Sequence, residues 1–102
     1  MKQDQIIAAL RAHEGELKQA GIASLSLIGS VARGDDGPHS DIDVVVRLTD
    51  EARRGGFAYF GRIDRLRQRL EAILARHVDL IAEPVLKERV RREIEKDRVL
   101  AF

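Results

Sequence analysis

Residues 27–48 read LIGSVARGDDGPHSDIDVVVRL, and two carboxylates lie where this stretch becomes rich in β-branched residues. The segment 41–48 predicts a strand, because Val and Ile are favoured on a pleated surface. Side chains alternate between the faces of a strand, so Asp41 and Asp43 should share one face. Their Cα atoms would then lie roughly 6–7 Å apart, close enough for both carboxylates to bind one cation.

A bound cation is the functional explanation of this carboxylate pair. Mg²⁺ prefers hard oxygen ligands and is usually completed by water and substrate phosphates. The structural alternative is that one Asp caps the loop while the other pairs with Arg47 or Arg33. The D-x-D spacing alone does not decide between the two.

The end of the preceding strand offers groups that suit a phosphate. Gly29 would let a phosphate approach the backbone, Ser30 supplies a hydroxyl, and the N–H groups that follow begin a short helical turn. Arg33 falls on the same side of such a turn, where it would either add charge at the phosphates or hold the loop by pairing with an Asp. An ordinary turn is the structural alternative.

A third carboxylate interrupts the apolar segment HVDLIA, residues 77–82, which predicts another strand. If this strand neighbours the strand 41–48, Asp79 lies only about 4.8 Å away in the pairing direction. Its structural alternative is a strand-end Asp that faces solvent or a basic side chain. Taken with the carboxylate pair and the phosphate cradle, Asp79 indicates metal-assisted nucleotidyl transfer, in which an ion bridges the protein and a triphosphate.

The combined motif resembles a known family. Gly29-Ser30, ten further residues and then Asp41-Ile42-Asp43, with ARG and SDID inside the motif, are similar to the DNA polymerase beta nucleotidyltransferase superfamily. The short chain and the VDL strand resemble the minimal nucleotidyltransferase (MNT) proteins within it. The resemblance covers nearly the whole chain in its order of elements.

The resemblance implies specific roles for the motif residues. Catalysis and metal binding would fall to the three carboxylates Asp41, Asp43 and Asp79, the third of which can help to activate the acceptor hydroxyl. The implied contacts to the nucleotide come from Gly29, Ser30, Arg33 and Ser40. The resemblance also implies ATP as donor, Mg²⁺ as cofactor and, as for many MNT proteins, an antitoxin role. Such antitoxins transfer AMP to a Tyr of a partner HEPN-domain ribonuclease toxin.

Composition narrows the class of protein. The chain has 102 residues, with 18 Lys plus Arg, 17 Asp plus Glu, a net charge of +1 and no Cys. This length predicts a single domain over residues 1–102, which leaves the acceptor to be presented by a partner. The near-neutral charge favours neither nucleic acid nor membrane binding, and the lack of Cys excludes disulfides and thiolate metal sites. With no signal peptide and no membrane-spanning run expected, we predict a cytoplasmic protein.

Apolar periodicity predicts the element order α-β-α-β-α-β-α, counting the short turn after the first strand as a helix. The longer helices are expected at residues 3–20, at 57–76 and from Pro84 onward. The strands are expected at residues 23–29, 41–48 and 77–82. The predicted fold is α/β, or α+β in some schemes: a small mixed sheet of three main strands covered by helices.

Finer expectations concern the apolar side chains outside the strands. Phe57, Tyr59 and Phe60 are expected in the core or at the start of the second helix. Pro84 should open the last helix, because its missing N–H costs nothing at that position. That helix would turn Leu86, Val90 and Ile94 inward. The apolar tail, residues 99–102, should pack on the domain or mediate a contact.

Charged residues on the second helix leave alternatives open. Arg62, Arg65, Arg69 and Arg76 share roughly one helical face, which would either dock a partner or triphosphate, or be a solvated face with its apolar stems packed down. His13, His39 and His77 are too scattered for a zinc site, although His39 lies beside the motif. Direct nucleic-acid binding is not expected.

Three functions remain open at this stage. The first is a protein AMP-transferase antitoxin. The second is an antitoxin that only binds its partner, against which the three carboxylates argue, because crowded like charges are costly without a function. The third is a nucleotidyltransferase that acts on a small molecule or an RNA end.

Overall fold

Six helices and four strands form the part of the chain that the structure describes. The computed structural model describes residues 2–35, 37, 40–54 and 56–102, so His39 lies outside the described residues. The helices are α1 Gln3–Ala12, α2 Glu14–Gln19, α3 Gly29–Arg33, α4 Asp50–Arg53, α5 Phe57–Leu74 and α6 Glu88–Asp97. The strands are β1 Ile22–Ile28, β2 Ile42–Leu48, β3 Val78–Ala82 and β4 Val99–Leu100.

The strands form one mixed sheet in the order β3-β2-β1-β4. β1 is antiparallel to β2 and to β4, whereas β2 and β3 run parallel. The prediction of a small mixed sheet with helices is confirmed, but its strand count was too low by one. The apolar tail supplies the fourth strand, in which Val99 and Leu100 pair with Leu27 and Ser26 of β1.

The hydrophobic core lies between the sheet and the helices α1, α2 and α5. The helices contribute the buried side chains Ile6, Leu10, Leu17, Leu66, Leu70 and Leu74. On β2 the core residues are Ile42, Val44, Val46 and Leu48, which are spaced by two and so share one face. The intervening positions of β2, which include Asp43, consequently point to the opposite face of the sheet.

The first predicted helix, residues 3–20, is in fact two helices. Its break lies at His13, where φ is −108° and ψ is 14°, outside helical geometry. His13 and Gly15 are both weak helix formers, so the backbone loses little by bending here. The apolar residues Ile6, Ile7, Leu10 and Leu17, whose helical spacing predicts the helix, still face the core: Ile7 is partly buried and the other three are fully buried.

Pro84 does not open the last helix, which begins at Glu88. The chain follows the sheet beyond β3, because Glu83 donates its N–H to the carbonyl of Val46 at 2.9 Å. Leu86 therefore precedes the helix and is 90% exposed, contrary to the expectation that it points inward. Ile94 is buried as expected.

The aromatic residues of α5 lie largely outside the core. Phe57 is 99% exposed and Phe60 is 74% exposed, so of the two expected places, the core or the start of the helix, the structure shows the start of the helix. About two and a half helical turns separate Phe57 from Leu66, which places it on the face opposite the buried stripe. Tyr59 packs against the core and meets the Phe60 ring edge-on, with 5.5 Å between centroids.

α5 ends at Leu74, because Ala75 adopts a left-handed conformation with φ of 54°. The predicted helix therefore extended two residues too far.

Among the described residues, none of the helices combines the length and the hydropathy that crossing a bilayer requires.

Candidate active site

Three carboxylates meet at one edge of the sheet. Asp43 of β2 and Asp79 of β3 are register partners in the parallel pair, and Asp41 lies one residue before β2. Asp41 and Asp79 are exposed, whereas Asp43 is half-buried. The structure thus brings together the three carboxylates singled out from the sequence, because parallel strands align their equivalent ends.

Burial and the neighbouring carboxylates raise the pKa of Asp43. Burial is the largest cause, followed by the charge of Asp79, a hydrogen bond with Asp79 and the charge of Asp41. The guanidinium of Arg33 acts weakly in the opposite direction. Like charges in a partly desolvated site repel one another, so a cation placed among them is stabilised. The donor set of carboxylate oxygens fits a hard divalent ion such as Mg²⁺.

Gly29 makes close contact with Asp43 possible. Its φ is +69°, and a Cβ at this position would lie 2.5 Å from Asp43 Oδ2. β1 ends at Ile28, which is paired with Asp43, and α3 begins at the next residue. The predicted cradle residues Gly29 and Ser30 therefore start a short helix directly beside the carboxylates.

Arg33 makes ion pairs with two acidic residues. Its Nε lies 3.2 Å from Asp35 Oδ2, and its Nη1 lies 3.2 Å from Asp97 Oδ2 on α6. Of the two roles left open by the sequence, the structure thus shows pairing with Asp. These pairs join the end of α3 to the end of α6.

Ser40 is engaged by its own loop. Its Oγ accepts the N–H of Gly37 at 2.9 Å, and its carbonyl accepts a hydrogen bond from Arg76 Nε at 3.2 Å. Arg76 therefore ties the loop before Asp41 to the segment after α5.

Two arginines of the predicted face on α5, Arg62 and Arg69, also have partners within the chain. Arg69 binds both oxygens of Glu16, at 2.7 and 2.9 Å. Arg62 donates to the carbonyls of Ala52 and Arg54. The structure therefore favours a mainly structural role for the predicted arginine face.

His77 is a site residue that the sequence reasoning missed. Its Nδ1 lies 3.3 Å from Asp41 Oδ1 and 3.9 Å from Asp79 Oδ1. One ligand atom each from Asp41, His77 and Asp79 fall within 4.8 Å of one another. The spacing of two between His77 and Asp79 on a predicted strand is the sequence signal for this contact, because such residues share one face of a strand.

Glu71 joins the site from α5. Its carboxylate accepts Val78 N–H at 3.0 Å and Arg67 Nη1 at 2.7 Å, while its Oε2 lies 3.8 Å from His77 Nε2. The backbone hydrogen bond from Val78 lowers the pKa of Glu71 despite its partial desolvation. No sequence pattern pointed to this residue, because it reaches the site from a neighbouring helix.

Comparison with known proteins supports the resemblance of this chain to nucleotidyltransferases. The family model for the nucleotidyltransferase domain matches residues 10–101. A Methanocaldococcus jannaschii protein named for protein adenylyltransferase activity is 33% identical over 97 residues, covering 93% of each chain. The protein adenylyltransferase MntA of Thermococcus cleftensis is 28% identical over 97 residues, covering 94% of this chain and 92% of the relative.

Solved structures share the fold. One described as a minimal nucleotidyltransferase aligns with a TM-score of 0.77 and 26% identity, covering 97% of this chain and 95% of that one. An MNT antitoxin in complex with a tri-AMPylated HEPN toxin from Shewanella oneidensis aligns with a TM-score of 0.57 and 16% identity, covering 90% and 71%. The family match spans nearly the whole chain and includes all three carboxylates. This chain therefore belongs to the nucleotidyltransferase domain family, as the sequence motif indicated.

Proposed function

We propose that this protein transfers AMP from ATP to a hydroxyl group of a partner protein, and that the partner is a HEPN-domain toxin modified on Tyr. The observation that carries the proposal is that Asp43 pairs in register with Asp79 and also lies directly against Gly29. The carboxylate cluster therefore lies beside the backbone at the start of α3. This arrangement suits a metal-bound triphosphate. The protein would then act as the antitoxin of a toxin–antitoxin pair.

The reaction is an in-line displacement at the α-phosphorus of ATP. The acceptor oxygen forms a bond to that phosphorus, the bond to the bridging oxygen of the β-phosphate breaks, and diphosphate leaves. Mg²⁺, when bound, would offset charge on the triphosphate. The acceptor proton needs a base, and the exposed carboxylate of Asp79 is our candidate. Asp41 and Asp43 would hold the cation with it.

The nucleotide contacts are assigned by position. Gly29 and Ser30 lie beside Asp43 at the start of α3, where backbone N–H groups and a hydroxyl can face phosphate oxygens. Arg33 and Ser40 flank this region, but both are already engaged within the chain. We therefore assign them a smaller part, in keeping the loop and α3 in place.

Two observations support a protein as acceptor. The side chains of Asp41 and Asp79 are about half exposed, at 52% and 56%, so a hydroxyl on a large partner can approach them. The curated relatives are named protein adenylyltransferases, and the Shewanella oneidensis structure joins an MNT antitoxin to an AMPylated HEPN toxin. We also infer that residues 1–102 work as one domain, and that the protein acts in the cytoplasm.

The experiment first asks whether the neighbouring reading frame encodes a HEPN-domain protein, which is then purified and incubated with this chain. ATP labelled at the α-phosphate should label the partner, whereas ATP labelled at the γ-phosphate should not. The Asp43→Asn variant is the control and should label nothing. Label from the γ-phosphate would indicate phosphoryl transfer and contradict the proposal. A complex that forms without any label would favour an antitoxin that only binds.

A further inference from the structure

The imidazole of His77 occupies a position that a metal ligand could hold. Its Nδ1 lies 3.3 Å from Asp41 Oδ1 and 3.9 Å from Asp79 Oδ1. In an octahedral site with bonds of about 2.1 Å, neighbouring ligand atoms are about 3.0 Å apart and opposite ones about 4.2 Å apart. The 3.3 Å separation is close to the value for neighbouring ligands, the 3.9 Å separation is close to the value for opposite ligands, and all three atoms lie within 4.8 Å of one another. Nδ1 and the two carboxylate oxygens can therefore contact one ion after small adjustments.

The other ring nitrogen of His77 faces a carboxylate. Nε2 lies 3.8 Å from Glu71 Oε2, and Glu71 is itself fixed by Arg67 and by the N–H of Val78. Histidines that bind metals commonly direct their second N–H at a carboxylate, which sets the tautomer and the ring orientation. At 3.8 Å this contact is longer than a hydrogen bond, so Glu71 must move closer to hold a proton on Nε2. With the proton on Nε2, the lone pair of Nδ1 is directed at Asp41 and Asp79.

We propose that His77 is a nitrogen ligand of a divalent cation held by Asp41 and Asp79, and that Glu71 positions it. This deepens the proposed function and rests on it for the identity of the site. Mg²⁺ favours oxygen ligands, while imidazole favours first-row transition ions. A nitrogen ligand therefore raises the affinity of this position for a transition ion relative to Mg²⁺, which the carboxylate oxygens still accept. Mn²⁺ serves as the transition-ion probe. Asp43 is more buried than Asp41 and Asp79, and in this arrangement it would bind a cation through its carboxylate oxygens without a nitrogen ligand.

Pulsed EPR of Mn²⁺ bound to the whole chain, without nucleotide, tests the assignment directly. Coordination by Nδ1 gives a ¹⁴N coupling typical of imidazole. We expect the coupling in the wild type, in His13→Gln and in His39→Gln, and its loss in His77→Gln. Coupling that survives in His77→Gln, or that disappears in His39→Gln instead, overturns the proposal.

Metal titrations separate coordination from a simple ion pair between His77 and the two Asp residues. His77→Gln should weaken Mn²⁺ binding about tenfold or more while changing Mg²⁺ binding less than about threefold. Glu71→Gln should keep the ¹⁴N coupling but weaken Mn²⁺ binding about tenfold, as expected for a positioning residue. Equal losses for both ions in His77→Gln contradict a selective nitrogen ligand. Circular dichroism confirms that each variant is folded.

The outcomes also distinguish this inference from the proposed function. Mn²⁺ that binds the wild type without nitrogen coupling overturns the role of His77 but leaves the carboxylates as metal ligands. A wild-type chain that binds no divalent cation, with or without ATP, contradicts the proposed function itself. If Asp41→Asn loses Mn²⁺ binding and His77→Gln loses the ¹⁴N coupling, the result supports both the proposed function and the role of His77.

Discussion

Asp43 of β2 and Asp79 of β3 face one another in register across the parallel strand pair. Because burial and Asp79 raise the pKa of Asp43, the folded chain holds this proton more tightly than the unfolded chain does. The contribution of Asp43 to stability is therefore fully present below its ordinary carboxyl pKa. It is lost as the pH rises through the raised value.

We expect Asp43→Asn to be at least as stable as the wild type near neutral pH in EDTA, because the variant removes one of several crowded like charges. The difference between the two free energies of unfolding should shrink as the pH falls from about 7 to about 4. Denaturant unfolding across this range measures it. A variant that loses stability at neutral pH would show that Asp43 has a structural partner.

Gly29→Ala should disrupt the site, since the new Cβ would meet Asp43 Oδ2 at 2.5 Å. Gly34→Ala is the matched control, because Gly34 also has a positive φ, of +78°, but a Cβ there has open space. Backbone strain of roughly 1–2 kcal/mol applies to both variants. Gly29→Ala should therefore lose more stability and more Mg²⁺-dependent ATP binding than Gly34→Ala. Calorimetry and thermal melts would compare them, and equal losses would argue against the clash.

Glu71→Gln should lower the thermal midpoint at neutral pH, because the neutral amide weakens the contacts to Arg67 and to Val78 N–H. The pKa of Glu71 is lowered by folding, so its contribution to stability is present above the ordinary carboxyl pKa. That contribution is lost as the pH falls through the lowered value. Melts at neutral and acidic pH should thus differ between wild type and variant only at the higher pH. A pH-independent difference would point to packing instead.

Two positions on α5 test the placement of its faces. Phe57→Ser should change the free energy of unfolding by less than about 0.5 kcal/mol, because its side chain is almost fully exposed. Leu70→Ala, on the buried face, should cost about 2–5 kcal/mol. Denaturant melts of both variants provide the comparison. A large loss for Phe57→Ser would mean that its ring packs against the core after all.

The sequence could predict the site because its signal is local. Alternation predicted that Asp41 and Asp43 share one face, and the segment 77–82 placed Asp79 on a further strand. The parallel pairing of β2 with β3, which the sequence left as a condition, brings the strand starts together. For Gly29 the sequence predicted a close approach of a phosphate to the backbone, whereas the group that approaches it in the structure is the carboxylate of Asp43.

The features that the sequence did not predict depend on tertiary contacts. Glu71 reaches His77 from a neighbouring helix, so no spacing along the chain links them. β4 forms because the short apolar tail finds a free edge on β1, which cannot be deduced from two residues. Pro84 suggested a helix start, but a hydrogen bond to β2 one residue earlier keeps the chain with the sheet.

The intact mass of the HEPN partner tests the central claim most directly. The partner should be purified after co-expression with the wild type, with Asp43→Asn or with Asp79→Asn, and the complex confirmed by gel filtration. The account predicts a mass increase by whole AMP units with the wild type, located on Tyr, and an unmodified partner in stable complexes with both variants. An unmodified partner in complex with the wild type, or AMP added by either variant, would contradict it.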